Sequence, residues 1–310
     1  MFTSVEAWFE RAESEDITLA EACLRQEVRD TGADPERIRR RILASLETME
    51  EAVEEGLASD EVSPSGLTGG RARRLEAHGP RIFGEDFTRM LARAIATLEV
   101  NARMGVIVAA PTAGAAGVVP GVLLTLREAR GWDDDQMVDG MLVAGATGAV
   151  IAHRASIAGA GGGCQAETGS AAAMSSAAVT WLEGGTPEQV GHAVALTLQG
   201  MLGLICDPIA GLVEIPCVYR NASAAVQAMA CAEMALAGLD FPVPPDEVID
   251  VMDEVGRKMD VRFKETALGG LAASPTGRRL AEEAGMSELV QLQRKGGEDP
   301  GEDTARIGPS

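Results

Sequence analysis

Between residues 141 and 215 the chain carries only six charged side chains, Arg154, Glu167, Glu183, Glu188, Asp207 and Glu214, set among crowded alanines and glycines. A stretch so poor in charge is predicted to be buried, and side chains this small let neighbouring helices approach closely. The flanks differ. Residues 1–60 are dense in Asp, Glu and Arg, and charge returns from about residue 245. The pattern predicts an Ala/Gly-rich centre surrounded by amphipathic elements.

Helical spacing dominates those elements. Ile38, Ile42, Leu46, Met49 and Val53 recur at three and four residues, after an Asp34-Pro35 pair suited to the N-cap and first helical position. Phe87, Leu91, Ala94, Ile95, Leu98 and Ala102 make a second stripe. Val118–Glu128 and Asp134–Ile151 read as helices, the latter opened by three aspartates at the positive end of its dipole. Thr186-Pro187-Glu188-Gln189 fits a capping box that opens a helix to about Gly203, and Val218–Leu236 follows as another. Alternating strand patterns are few and no internal repeat is found. The fold class expected is all-α, with closely packed helices, an Ala/Gly-rich central core and Gly/Pro-rich loops.

Met141–Ala160 and Ala193–Ile215 are apolar enough to suggest membrane spans, but His153-Arg154 interrupts the first, and Gln199 and Asp207-Pro208 interrupt the second. Buried core helices are the reading that length and charge favour, so no membrane partner is expected. The formal charge of −20 over 310 residues repels phosphate backbones, which argues against nucleic acid. Lysine occurs only at 258, 264 and 295. The first fifteen residues contain no apolar signal segment, and five unevenly spaced cysteines make no disulfide framework. A soluble cytoplasmic protein is expected.

Three cysteines stand beside chain-turning residues: Cys164 in Gly161-Gly-Gly-Cys-Gln-Ala-Glu167, and Cys206 and Cys217 at the ends of Cys206-Asp-Pro-Ile-Ala-Gly-Leu-Val-Glu-Ile-Pro-Cys217. Glycines allow close approach of a bulky ligand, and the prolines suppress regular helix in the eleven-residue step. With Gln165 opening a helix, Cys164 would sit at its N-terminus, where the dipole favours thiolate. Buried free thiols, a zinc site completed by water, and an iron–sulfur site all remain compatible with this spacing. Glu167, one turn from Cys164, is a candidate acid–base group or an ordinary first-turn glutamate.

Two loops of small polar residues are candidate carboxylate binders, Ser65, Thr68 and Gly69 in one, and Thr112, Ala113 and Gly114 in the other. Simple turn and cap chemistry is the alternative. Cys231 and Cys23 read as packing thiols, and His78, His153 and His192 show no metal spacing. His192 reads as structural, while His153, just before the Gly-rich loop, is the histidine that could face a substrate. A pyridoxal phosphate enzyme would need a Schiff-base lysine, and none precedes Lys258; a P-loop would need Gly-Lys-Ser/Thr, which is missing.

Several segments resemble the alpha chain of the iron–sulfur-dependent L-serine dehydratases: Ser65-Gly-Leu-Thr-Gly-Gly70, Asn101-Ala-Arg-Met-Gly-Val-Ile-Val-Ala-Ala-Pro-Thr-Ala-Gly114, Gly163-Cys-Gln-Ala-Glu167, the Cys206–Cys217 loop and Glu265-Thr-Ala-Leu-Gly-Gly270. The resemblance runs from roughly Ser63 to Gly277. It implies that Cys164, Cys206 and Cys217 hold a [4Fe–4S] cluster whose open iron acts as a Lewis acid in converting serine to pyruvate and ammonia. It also implies a serine-dehydratase-like catalytic domain over 61–290; charge and helical spacing add a helical segment over 1–60, and the Gly-, Glu- and Asp-rich end a disordered tail over 291–310.

Arg154 stands where many relatives carry asparagine, and Gly161 where they carry glutamate, which keeps a related lyase on cysteine or threonine as an alternative. A non-catalytic metal-holding subunit is another. The family's Ser-Ser-Ser-His-Thr segment and the terminal cluster-capping cysteine of some single-chain relatives are missing, so the resemblance implies an alpha half completed by a separate beta chain as a hetero-oligomer.

Overall fold

The structure, a computed structural model, describes residues 1–296. Three N-terminal helices come first, α1 (Val5–Glu15), α2 (Leu19–Thr31) and α3 (Pro35–Ala58). Then follow α4 (Arg71–His78), α5 (Glu85–Ala102), α6 (Val118–Arg130), α7 (Asp134–Arg154) and a single turn, α8 (Gly159–Gly162). The last six are α9 (Ser170–Leu182), α10 (Pro187–Gln199), α11 (Cys217–Leu236), α12 (Pro245–Lys258), α13 (Pro275–Glu283) and α14 (Ser287–Gly296). Among the described residues there is no strand; one isolated bridge pairs Cys206 with Lys264. The all-α expectation holds.

The charge-poor stretch does occupy the centre. From Ser170 to Thr180 every residue of α9 is buried, and α6, α7, α10 and α11 all pack on it. Small side chains make this possible, and two of the hydroxyls are satisfied within the helix: Ser175 donates to the Ala171 carbonyl at 2.8 Å, and Ser176 to that of Ala173 at 3.1 Å. Close approach recurs where α6 begins, since a Cβ on Gly117 would lie 2.2 Å from the Ala94 carbonyl oxygen of α5. Around this centre Trp8, Leu46, Met49, Leu98, Ile151, Leu198 and Ile249 share one continuous apolar core. Truncating a fully buried leucine such as Leu98 to alanine costs about 2–5 kcal/mol in a core of this kind.

The helix ends follow their sequence signals. Asp34 accepts from the Arg37 amide at the head of α3, with Pro35 at its first position. Thr186 and Gln189 form a reciprocal capping box on α10, and Asp133 and Gln136 form a second on α7. Helix α10 stops at Gln199 rather than near Gly203, because the chain turns through Gly200 and Gly203, the latter at φ +80°. Of the tail expected from residue 291, the first six residues lie in α14, and 297–310 lie outside the described residues. Among the described residues no helix is long and apolar enough to cross a membrane.

Candidate metal centre

The three cysteines arrive on three different segments, all buried and none in a disulfide. Cys164 follows α8 and precedes a π-helical turn, Gln165–Gly169, that runs directly into α9. Gly163 makes that entry possible: its φ is +76°, and a Cβ there would sit 2.9 Å from the Leu204 carbonyl oxygen. Cys206 is held at its backbone, donating to the Phe263 carbonyl at 2.8 Å and accepting from the Glu265 amide at 3.0 Å. Cys217 is the first residue of α11, just after a cis Ile215–Pro216 bond.

Glu167 lies beside them in the π-helical turn, nine-tenths buried. Its Oε1 accepts from the Thr112 hydroxyl at 2.7 Å, and its Oε2 lies 4.0 Å from the Cys206 sulfur. Ligand atoms of Glu167, Cys206 and Glu265 all fall within 4.8 Å of one another, a grouping able to hold a metal ion. Gly159 lines the same space. A Cβ at that position would come within 2.6 Å of Glu167 Oε2, 3.0 Å of Glu265 Oε2 and 3.1 Å of Cys206 Sγ. Cys206 and Glu167, both buried, and the exposed Glu265 thus surround a gap that only glycine keeps open.

Burial is the largest influence on every thiol here. It pushes Cys217 up to about 12, with the neighbouring Cys164 and Glu167 adding to the rise and Arg220 opposing it. Cys206 is pushed higher by burial, by both other thiols and by Glu167 and Glu265. Cys164 is also raised by burial, against the opposing pull of the Thr168 hydroxyl and the Arg220 guanidinium. The thiolate expected at Cys164 is therefore not favoured without a cation, because desolvation outweighs the opposing pull of Thr168 and Arg220. Glu167 is raised as well, first by burial and then by Glu265, with Thr112 opposing.

The two small-residue loops differ. Thr112 and Gly114 border the gap, with Ala113 between them in the chain: Thr112 bonds Glu167, and Gly114 lies against it, since a Cβ there would be 3.1 Å from Glu167 Oε1. Asn221 pins this loop to the third cysteine, accepting from the Gly117 amide at 2.9 Å and donating to the carbonyls of Gly114 at 2.7 Å and Cys217 at 2.9 Å. The Ser65 loop is tied to the middle of the Cys206–Cys217 segment. Ser65 and Ser63 donate to the two carboxylate oxygens of buried Glu214 at 2.7 and 2.6 Å. Thr68 donates to buried Glu99 at 3.3 Å, and that same carboxylate accepts from the Arg71 and Ala72 amides that open α4. Gly69 packs against the chain at Glu61, where a Cβ would sit 2.5 Å from a carbonyl oxygen. In this arrangement the Ser65 and Thr68 hydroxyls serve buried carboxylates.

Other sequence candidates lie elsewhere. His153 is exposed, while His192 accepts from the Phe241 amide at 3.2 Å in a structural contact. Cys231 is buried with Ala193, Leu196 and Ala235 in a satellite of the core. Arg154 is ion-paired with Asp250 at 2.6 Å and Asp246 at 3.7 Å, tying α7 to α12. The residues that sequence reasoning missed are Glu265, whose motif was noted without a role, and Arg220 and Asn221. The last two lie one helical turn beyond Cys217, and that adjacency was the available signal.

An all-helical chain with a small-residue core and a buried cluster of thiols and carboxylates defines the class: a helical protein with a candidate metal centre. The family model for the serine dehydratase alpha chain matches residues 14–272, and the chain belongs to that family. It is 47% identical over 283 residues to the probable L-serine dehydratase alpha chain of Bacillus subtilis, covering 90% of this chain and 94% of the relative. The L-serine dehydratase alpha chain of Peptoniphilus asaccharolyticus is 42% identical over 267 residues, covering 85% and 91%. The L-serine dehydratase of Streptomyces coelicolor is 41% identical over 249 residues, covering 78% of this chain but only 54% of that longer protein.

Proposed function

We propose that this chain is the cofactor-holding subunit of an L-serine ammonia-lyase, with Cys164, Cys206 and Cys217 binding three irons of a [4Fe–4S] cluster and a separate beta chain completing the active site. One observation carries the reading. Three buried cysteines free of disulfides come from three segments, and one of them, Cys206, lies with Glu167 and Glu265 around a gap that Gly159 keeps free of side chain. The donor set fits the group, since soft thiolates suit iron–sulfur clusters, and burial alone gives these thiols no means of ionising without a cation.

When bound, the cluster supplies a Lewis-acidic iron that eases departure of the substrate's β-hydroxyl. The chain's own residues do the rest. Glu167, raised by burial, is suited to hold or accept a proton, and Thr112 holds the carboxylate through Oε1. Thr112, Ala113 and Gly114 form the wall against which the substrate carboxylate is placed. Loss of the Cα proton and β-hydroxyl from serine leaves aminoacrylate and water, and hydrolysis of aminoacrylate yields pyruvate and ammonia. Ser65, with Ser63, serves the same reading by bracing the Cys206–Cys217 loop through Glu214, while Thr68 bonds Glu99 and Gly69 packs at Glu61 to hold the chain that carries Ser65.

The test is anaerobic reconstitution with iron and sulfide, followed by turnover of serine, threonine and cysteine with and without the beta chain. Serine turnover that needs both chains and decays in air is expected. Preference for threonine or cysteine would replace the substrate, and no turnover with both chains loaded would leave only a metal-holding subunit.

A further inference from the structure

Arg220 reaches across from α11 to both neighbours of Cys206. Its Nη1 donates to the Ile205 carbonyl at 2.8 Å, and its Nη2 pairs with Asp207 Oδ1 at 2.7 Å. The guanidinium fork therefore grips the residue before and the residue after one cysteine, from a helix whose first residue is another. Asp207, only 2% exposed, is fixed in turn by accepting from the Leu271 amide through Oδ2 at 2.7 Å. Gly270 leaves the room for this, since a Cβ there would lie 2.3 Å from Asp207 Oδ2.

We infer that Arg220, braced by Asp207, is the positioning residue that sets Cys206 against Cys217 before any metal arrives. The inference rests on the three cysteines being metal ligands, as proposed above. The twelve-residue segment from Cys206 to Cys217 contains two prolines and two left-handed residues, Ala210 at φ +60° and Gly211 at φ +71°. It is closed by a backbone bond from the Ile209 amide to the Ile215 carbonyl at 2.8 Å and has no regular ladder to hold its ends in register. Arg220 supplies that register with one rigid planar group. Lysine carries the same charge but has no fork to span residues 205 and 207.

The test uses the full-length, metal-free chain and Co(II) as the probe, because the intensity of thiolate-to-cobalt charge transfer counts the sulfurs bound. Wild type, Arg220→Lys, Arg220→Gln and Asp207→Asn are titrated, with Arg130→Gln as a control that removes the remote Arg130–Glu183 ion pair. Helicity by circular dichroism selects the folded variants; if Arg220→Gln does not fold, Arg220→Lys and Asp207→Asn decide. The expected result is a loss of affinity of about tenfold or more and fewer bound sulfurs in both, with the control unchanged. The rate at which reconstituted iron is lost to a chelator should rise in the same order. Wild-type affinity and sulfur count in folded Arg220→Lys and Asp207→Asn would overturn the inference. A wild-type chain that binds cobalt without its thiols would instead overturn the ligand reading beneath it.

Discussion

Thr112 donates a 2.7 Å hydrogen bond to Glu167, joining residues 55 positions apart across the edge of the thiol site. The bond ties the loop before α6 to the π-helical turn before α9, so the loop proposed to hold substrate and the candidate proton carrier are set by one contact. Replacing Glu167 with glutamine should lower serine turnover by roughly 100-fold or more, the scale of a lost acid–base group, while iron content stays at the wild-type level. Thr112→Val should lower kcat/KM by roughly 10- to 100-fold, because hydrogen bonds to charged groups are worth about 1.5–3 kcal/mol. Wild-type turnover in Glu167→Gln would remove it from the chemistry.

Asn221 is fully buried and uses both ends of its amide. Asn221→Ala leaves the Gly117 amide and the Gly114 carbonyl without that partner in a buried setting, a loss of about 3 kcal/mol in unfolding free energy by urea titration. A change below about 1 kcal/mol would mean that water or backbone movement replaces those bonds.

Gly159→Ala places a methyl group within 2.6 Å of Glu167 Oε2 and 3.1 Å of Cys206 Sγ. The expected outcome is a folded chain with wild-type helicity and a thermal midpoint near wild type that no longer retains iron after reconstitution. Wild-type iron retention would show that the gap beside Gly159 is not part of the metal site.

Thiol chemistry in the metal-free chain should depend steeply on pH. With Cys217 pushed up to about 12, its thiolate fraction at pH 8 is about one in ten thousand, against roughly a quarter for a free thiol of pKa about 8.5. Iodoacetamide at pH 8 should therefore modify the folded, metal-free protein far more slowly than the urea-unfolded chain. The unfolded chain releases these protons from about pH 8.5, while the folded chain keeps that of Cys217 to about 12. Stability of the metal-free fold should accordingly fall as pH rises across that window. Rapid alkylation of Cys217 in the folded state at pH 8 would contradict its burial.

The helical frame was legible because its signals are local. Asp34-Pro35 and Thr186–Gln189 are cap chemistry written in four residues or fewer, and both caps stand where they were expected. The charge-poor centre followed from burial alone. What stayed hidden depends on chain distant in sequence. Gln165 was expected to start an ordinary helix, yet Gln165–Gly169 is π-helical, with the Gln165 side chain drawn to the Met252 carbonyl at 2.9 Å and the Gly203 amide at 2.8 Å. Arg220 looks like any arginine on an Ala-rich helix until Ile205 and Asp207 are brought against it. Ser65 and Thr68 read as free hydroxyls because Glu214 and Glu99, their buried acceptors, lie 149 and 31 residues away.

The most direct test of the central claim is an iron and sulfide count on the anaerobically reconstituted chain, run beside Cys164→Ala, Cys206→Ala and Cys217→Ala. The account predicts about four irons and four sulfides per wild-type chain, with a broad charge-transfer absorption that each single substitution abolishes or sharply reduces. A wild-type chain that takes up no iron and sulfide, or retains both undiminished after each cysteine is removed, would contradict it.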